Sequence, residues 1–210
     1  MLEAIKTRVG EPIWRETQTD IVYREIRGGF SWPESRPPFI CVLGWENKNN
    51  LLWVLYEREE VTMLDLARRL AALQGLYHIA RWVADTEGSK KDFEGMLWTI
   101  SRTEGLELHY REQPSLPADL FLCREVLAQQ LRANALILPR GGILQQKIEQ
   151  LNQADLTERG LLDRFPELLL LARLVHGFES IKKTAEERKP RDAWAKEFED
   201  SGVRGGWMAA

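Results

Sequence analysis

Little in this sequence is strongly biased, and several of its scarcities are informative. Only two cysteines occur in 210 residues, Cys41 and Cys123, both inside apolar runs. Buried free thiols fit that setting better than a disulfide or a metal pair, which would need closer spacing or more ligands. The three histidines, His78, His109 and His176, are scattered without zinc-binding spacing. No excess of positive charge is present. The net charge of −3 gives no global basic field for nucleic acid, although a local basic face stays open. No apolar run reaches 18 residues, and the first residues contain no signal-like apolar core, so a soluble, intracellular protein is expected, with no membrane partner. A phosphate loop of the Gly-x-x-x-x-Gly-Lys-Ser/Thr type is missing. Internal repeats and low-complexity tracts are missing too. Ser89 and Ser101 have no nucleophile-elbow context.

What is present is a regular alternation of element types. Asp20 to Ile26 alternates as an edge strand would, and Gly28, Gly29, Pro33, Pro37 and Pro38 then interrupt the pattern. Phe39 to Trp45 and Leu51 to Tyr56 flank a polar turn and read as a β-hairpin. Thr62 and Asp65 form a capping box for a helix with Leu64, Ala67, Leu70, Ala71 and Leu73 on one stripe, closed near Gly75. Residues 78–84 are apolar enough for an inner strand. A helix to about Arg102 follows, with Phe93, Met96, Leu97 and Ile100 on one face. Then come a short strand at Leu106–Tyr110, a helix over Pro117–Asn134, a brief strand at Ala135–Leu138 and a helix over Ile143–Gln153. A helix near 166–177 is apolar nearly all round and therefore buried. Strands first, then alternating helix and strand, predict an α/β fold: a mixed sheet flanked by helices. Trp45, Trp53 and Trp82 lie in strand runs and are expected in the core. Gly141-Gly142 reads as a plain turn in preference to a phosphate cradle. After Ser180 the chain is rich in charge and glycine, and a mobile tail is expected.

The central strand ends in Asp85, with Glu87 just beyond, and Ser89 and Asp92 set to cap the next helix. Open α/β sheets place ligands outside the carboxyl ends of their strands. Two carboxylates there are candidates for a divalent cation. The alternative is a solvated turn whose acids favour a helix amino terminus. Arg81, Lys90, Lys91, Arg102, Arg124, Arg132 and Arg140 could supply a local phosphate-binding face, or be ordinary solvated charges.

The order of elements resembles the nuclease domain of phage terminase large subunits. Three stretches carry the likeness: Phe39 to Tyr56 as an opening hairpin, Arg81 to Gly88 as a strand ending in an acid and a polar turn, and Asp119 to Leu151 as a helix, short strand and helix. The resemblance covers roughly residues 38–178 and implies a ribonuclease H-like fold. It divides the chain into an extension (1–37), a nuclease-type domain (38–180) and a tail (181–210). It further implies a two-metal DNA endonuclease using Mg²⁺ or Mn²⁺, acting on double-stranded DNA beside a separate packaging ATPase or portal, in the cytoplasm of a host cell. The resemblance puts the catalytic and metal-binding role on Asp85, Glu46, Asp163 and Glu167, with Glu87 as a further ligand. The departures are Gly44-Trp45-Glu46 where the family has an Asp after its first strand, and Leu beside Asp163 where a second Asp is common. They leave open an inactive module that binds DNA or an assembly partner.

Overall fold

The computed structural model describes residues 2–6, 12–31, 36–46, 48–85, 90–104, 110–112, 117–151 and 164–187. Among the described residues eight strands form one sheet: β1 (Leu2–Lys6), β2 (Pro12–Glu16), β3 (Val22–Ser31), β4 (Phe39–Glu46), β5 (Leu51–Glu59), β6 (Arg81–Asp85), β7 (Tyr110–Glu112) and β8 (Leu136–Ile137). Five helices accompany them among the described residues: α1 (Met63–Tyr77), α2 (Lys90–Glu104), α3 (Pro117–Arg132), α4 (Ile143–Glu149) and α5 (Pro166–Glu187). The chain divides into two compact units, 1–177 and 178–210. In the second, the described residues are the last ten of α5; the expected tail lies mostly outside the described residues.

The core of the sheet is an antiparallel meander, β3-β4-β5, to which parallel strands are added. On one side β6 pairs parallel to β3 and β7 parallel to β6; on the other β8 pairs parallel to β5. The order β5-β4-β3-β6-β7 is that of a ribonuclease H-like mixed sheet, as expected. The N-terminal hairpin β1-β2 continues the sheet beside the first residues of β3, through Trp14↔Tyr23 and Arg15↔Val22.

The principal correction concerns β3. The sequence suggests an edge strand ending before Gly28. The structure shows a central strand running through both glycines to Ser31. The reason is close packing on each face. A Cβ at Gly28 would overlap Cε3 and Cζ3 of the Trp82 indole. At Gly29 it would lie 2.9 Å from Leu174 Cδ1. The glycines therefore mark close approach inside a strand. The expected boundary at 37/38 consequently cuts through the middle of the sheet.

Both faces are covered. On one, Phe30, Trp82 and Ala84 pack with Leu66 and Leu70 of α1 and Phe93 and Leu97 of α2. On the other, Gly29 receives Leu170 and Leu174 of α5. All eight residues of β4 are buried, as are residues 167–175 of α5, which matches their apolar reading. Trp82 is fully buried, and its Nε1 donates to Gln74 Oε1 at 2.7 Å. Thr62 caps α1 as expected, accepting from Asp65 N at 3.1 Å. The helix does not stop near Gly75; it ends at His78, whose φ of 48° makes the left-handed cap. His176 lies inside α5, which continues to Glu187. Both cysteines are buried free thiols. No helix among the described residues is long and apolar enough to cross a membrane.

Candidate functional site at the carboxyl ends of the parallel strands

Strands β3, β6 and β7 run in the same direction and end together. The register pairs Ser31 with Asp85 and Ala84 with Glu112. Neighbouring strands in a sheet are roughly 4.8 Å apart, so the backbone positions of Ser31 and Asp85 are immediate neighbours. Ser31 is 3% exposed and lies two residues beyond Gly29, on the face that α5 covers. Strand β5 points the same way, because β4 is antiparallel to both β3 and β5. The turn before α4 therefore opens at the same end.

The acids expected to converge are separated. Glu46 closes β4 at the opposite end of the sheet, paired with Tyr23, whereas Ser31 pairs with Phe39. Seven residue steps of strand separate them, roughly 23 Å. Its carboxylate is occupied locally: Asn49 Nδ2 donates to Oε1 and Trp53 Nε1 donates to Oε2 at 2.9 Å. Glu46 is thus a buried polar anchor of the β4-β5 turn and cannot share an ion with Asp85. The error follows from taking β4 as the first core strand when β3 holds that place.

Glu167 lies in the first turn of α5 and is buried, with Lys147 Nζ 3.8 Å from Oε1 and, among the described residues, no hydrogen bond to Oε2. Lys147 is thus its ion-pair partner among the described residues. Asp163 and Glu87 lie outside the described residues, as does the Ser89 cap; for Asp85 the backbone position is described. Among the described residues, no three His, Cys, Asp or Glu side chains gather in a metal-binding group.

The expected phosphate-binding residues are spread over several elements. Arg81 begins β6, opposite Arg27, at the far end of the strand from Asp85. Lys90 and Lys91 begin α2, just past the strand end. Arg124 packs over Phe121, 4.7 Å from the ring centre, and lies 3.7 Å from Glu125. Arg132 Nε donates to Ala128 O at the end of α3. Arg140 is exposed in the turn before α4.

Residues at this end that sequence reasoning missed are Ser31, Arg36 and the Glu60 group. Arg36 Nη1 donates to Arg164 O at 3.0 Å, tying the residues before β4 to the start of α5. Buried Glu60 is held by Arg69 at 3.0 Å and Arg58 at 3.5 Å. None has a sequence signature, because each depends on elements far apart in the chain.

Glu57 gives the site end a titrating anchor. The Gly141-Gly142 turn is a turn, as expected, and Glu57 Oε2 accepts from Leu144 N at 3.0 Å to cap α4. Burial raises the Glu57 carboxyl above its ordinary value, opposed by the N–H groups of Leu144 and Ile143. The unfolded chain therefore ionises first. Stability from Glu57 is full below the unfolded value of about 4.3 and declines as pH rises towards the folded value. Glu57→Gln keeps an oxygen for the cap and removes the titration. Its melting temperature is expected to vary less with pH across that window than that of the wild type; parallel curves would refute the assignment.

No protein-family model matches the chain, and none of the curated proteins does. Several solved structures do. The large terminase nuclease from thermophilic phage G20c with bound zinc is 15% identical, over 76% of this chain and 88% of its own, with a TM-score of 0.47. The human cytomegalovirus terminase nuclease domain is 8% identical, over 75% of this chain and 84% of its own, at 0.48. The large terminase nuclease domain from bacteriophage SPP1 with bound manganese is 12% identical, over 74% and 86%, at 0.45.

Proposed function

We propose that this chain is a ribonuclease H-like module that binds double-stranded DNA at the carboxyl end of its parallel strands and has lost the carboxylate set for two-metal hydrolysis. One observation carries the proposal: the in-register neighbour of Asp85 is Ser31. Paired Mg²⁺ or Mn²⁺ ions need several anionic oxygen ligands around them. A buried serine hydroxyl is neutral. Glu46 is at the other end of the sheet and Glu167 is paired with Lys147. The described residues do not fit a metal pair, and no hydrolytic step is assigned to them.

The choice of DNA as ligand is supported by the basic residues placed at this end, Arg140 and the first residues of α2, Lys90 and Lys91, and by the sequence resemblance to terminase nuclease domains. A separate packaging ATPase or portal in a host-cell cytoplasm is the assembly context that resemblance suggests. The hydrolytic reading keeps one supporting feature. Glu112 ends β7, one strand from Asp85.

The test uses the full chain. Duplex DNA should be retarded, less so as salt rises. Plasmid should stay intact in millimolar Mn²⁺, and Mn²⁺ should leave the melting temperature unchanged. Nicking that requires Mn²⁺ and disappears in Asp85→Asn would replace this proposal with the hydrolytic one.

A further inference from the structure

The outward face of α2 carries an arrangement that the strand-end site does not use. Phe93, Leu97 and Ile100 turn inward and are buried. Trp98 does the reverse and is 63% exposed. One turn on, the Arg102 guanidinium carbon lies 5.2 Å from the indole centre. About one turn back stands Gly95, where an added Cβ would meet nothing within 4 Å. Helical side chains lean towards the amino terminus. Trp98 therefore reaches over the turn of Gly95, and Arg102 over Trp98.

Glycine is among the least favourable residues in a helix interior, and no packing here requires it. Its effect is to leave bare backbone beside an open indole. The surroundings are polar: Glu94, Thr99, Arg102 and Thr103 are all exposed. Thr99 and Thr103 spend their hydroxyls on the carbonyls of Gly95 and Thr99, at 2.9 and 3.1 Å. On the described outward positions of α2 the ring therefore stands among polar side chains. A flat π surface with a cation over the ring and open space beside it suits a different ligand.

We propose that Gly95, Trp98 and Arg102 form a stacking site for an unpaired base of single-stranded DNA. The indole takes the face of the base and Arg102 answers the neighbouring phosphate. Such a site tolerates any sequence, because every base has a π face. The helix begins a few residues after Asp85, so a strand leaving the strand-end site has a path onto it. The choice of DNA rests on the function proposed above; the geometry of the site does not.

The experiment measures fluorescence anisotropy of a labelled dT oligonucleotide, and separately of a duplex, with the full chain. Trp98→Ala should weaken dT binding about tenfold and change duplex binding less than about twofold, with the melting temperature unmoved. Trp98→Phe should recover part of the loss. Arg102→Gln should lower the slope of log affinity against log salt by about 0.7. The proposal is overturned if Trp98→Ala binds dT as the wild type does, or if it loses dT and duplex equally. It is also overturned if the substitution abolishes self-association of the wild type without affecting dT, which would assign the face to a second copy. A wild type that binds dT but not duplex would refute the strand-end function and leave this site standing.

Discussion

Gly28→Ala is expected to cost about 3 kcal/mol, the upper part of the usual range for overpacking a core. For a protein of this size that lowers the melting temperature by roughly 6–12 °C. The added methyl would overlap the six-membered ring of Trp82. The indole has little freedom to withdraw: it is 1% exposed, and its Nε1 is held by Gln74 Oε1. Phe30, at the next even position of β3, meets the same indole edge-on with ring centres 6.0 Å apart. Gly75 supplies the control. It lies in α1 with open space around a Cβ, so Gly75→Ala should stabilise by up to about 1 kcal/mol. Equal and small effects at the two positions would mean that the β3-β6 pairing is wrong.

The second large effect is expected at Ser31. Ser31→Asp places a carboxylate in a buried position beside Asp85. Without metal it should destabilise by about 2 kcal/mol, the cost of burying an unpaired polar group in protein, with like-charge repulsion adding to it. Mn²⁺ should then raise the melting temperature of the variant and not of the wild type, because a cation bound only to the folded state stabilises it. A variant that is destabilised equally with and without Mn²⁺ would show that the missing carboxylate is not what separates this site from a metal site. Recovery by Mn²⁺ together with plasmid nicking would show that the remaining ligands are in place.

Much of the fold was legible in the sequence. The signals that worked were local. Thr62 and Asp65 marked the start of α1, the apolar runs placed β4, β5 and β6, and the unbroken apolarity of residues 168–175 marked a buried helix. What failed was β3. Its alternation is interrupted by two glycines, which look like punctuation when read along the chain. Their purpose appears only across the sheet, where an indole lies on one face and two leucines on the other. Misplacing β3 displaced the site. With β4 taken as the first strand, Glu46 became the partner of Asp85. With β3 in that place, the partner is Ser31, a residue that no acid-based search would select. Glu167 was located correctly in the first turn of a buried helix, but its pairing with Lys147 of α4 joins segments that periodicity cannot connect. The exposed Trp98 was hidden for the opposite reason: an aromatic on an amphipathic helix is ordinarily core.

The way β3 is paired also bears on how the chain reaches its native state. Its neighbours on the β4 side belong to a meander closed by short connections, and such contacts form early because little chain entropy is lost in making them. Its other long side waits for β6, which arrives only after two strands and α1 have been threaded in sequence. Until then Gly28, Gly29 and Phe30 present an unpaired, apolar strand edge, the kind of surface that recruits other chains. Refolding should therefore be concentration-sensitive, with amides of β4 and β5 protected from exchange before those of β6. Substitutions that slow the docking of β6 should appear first as aggregation and only second as lost stability.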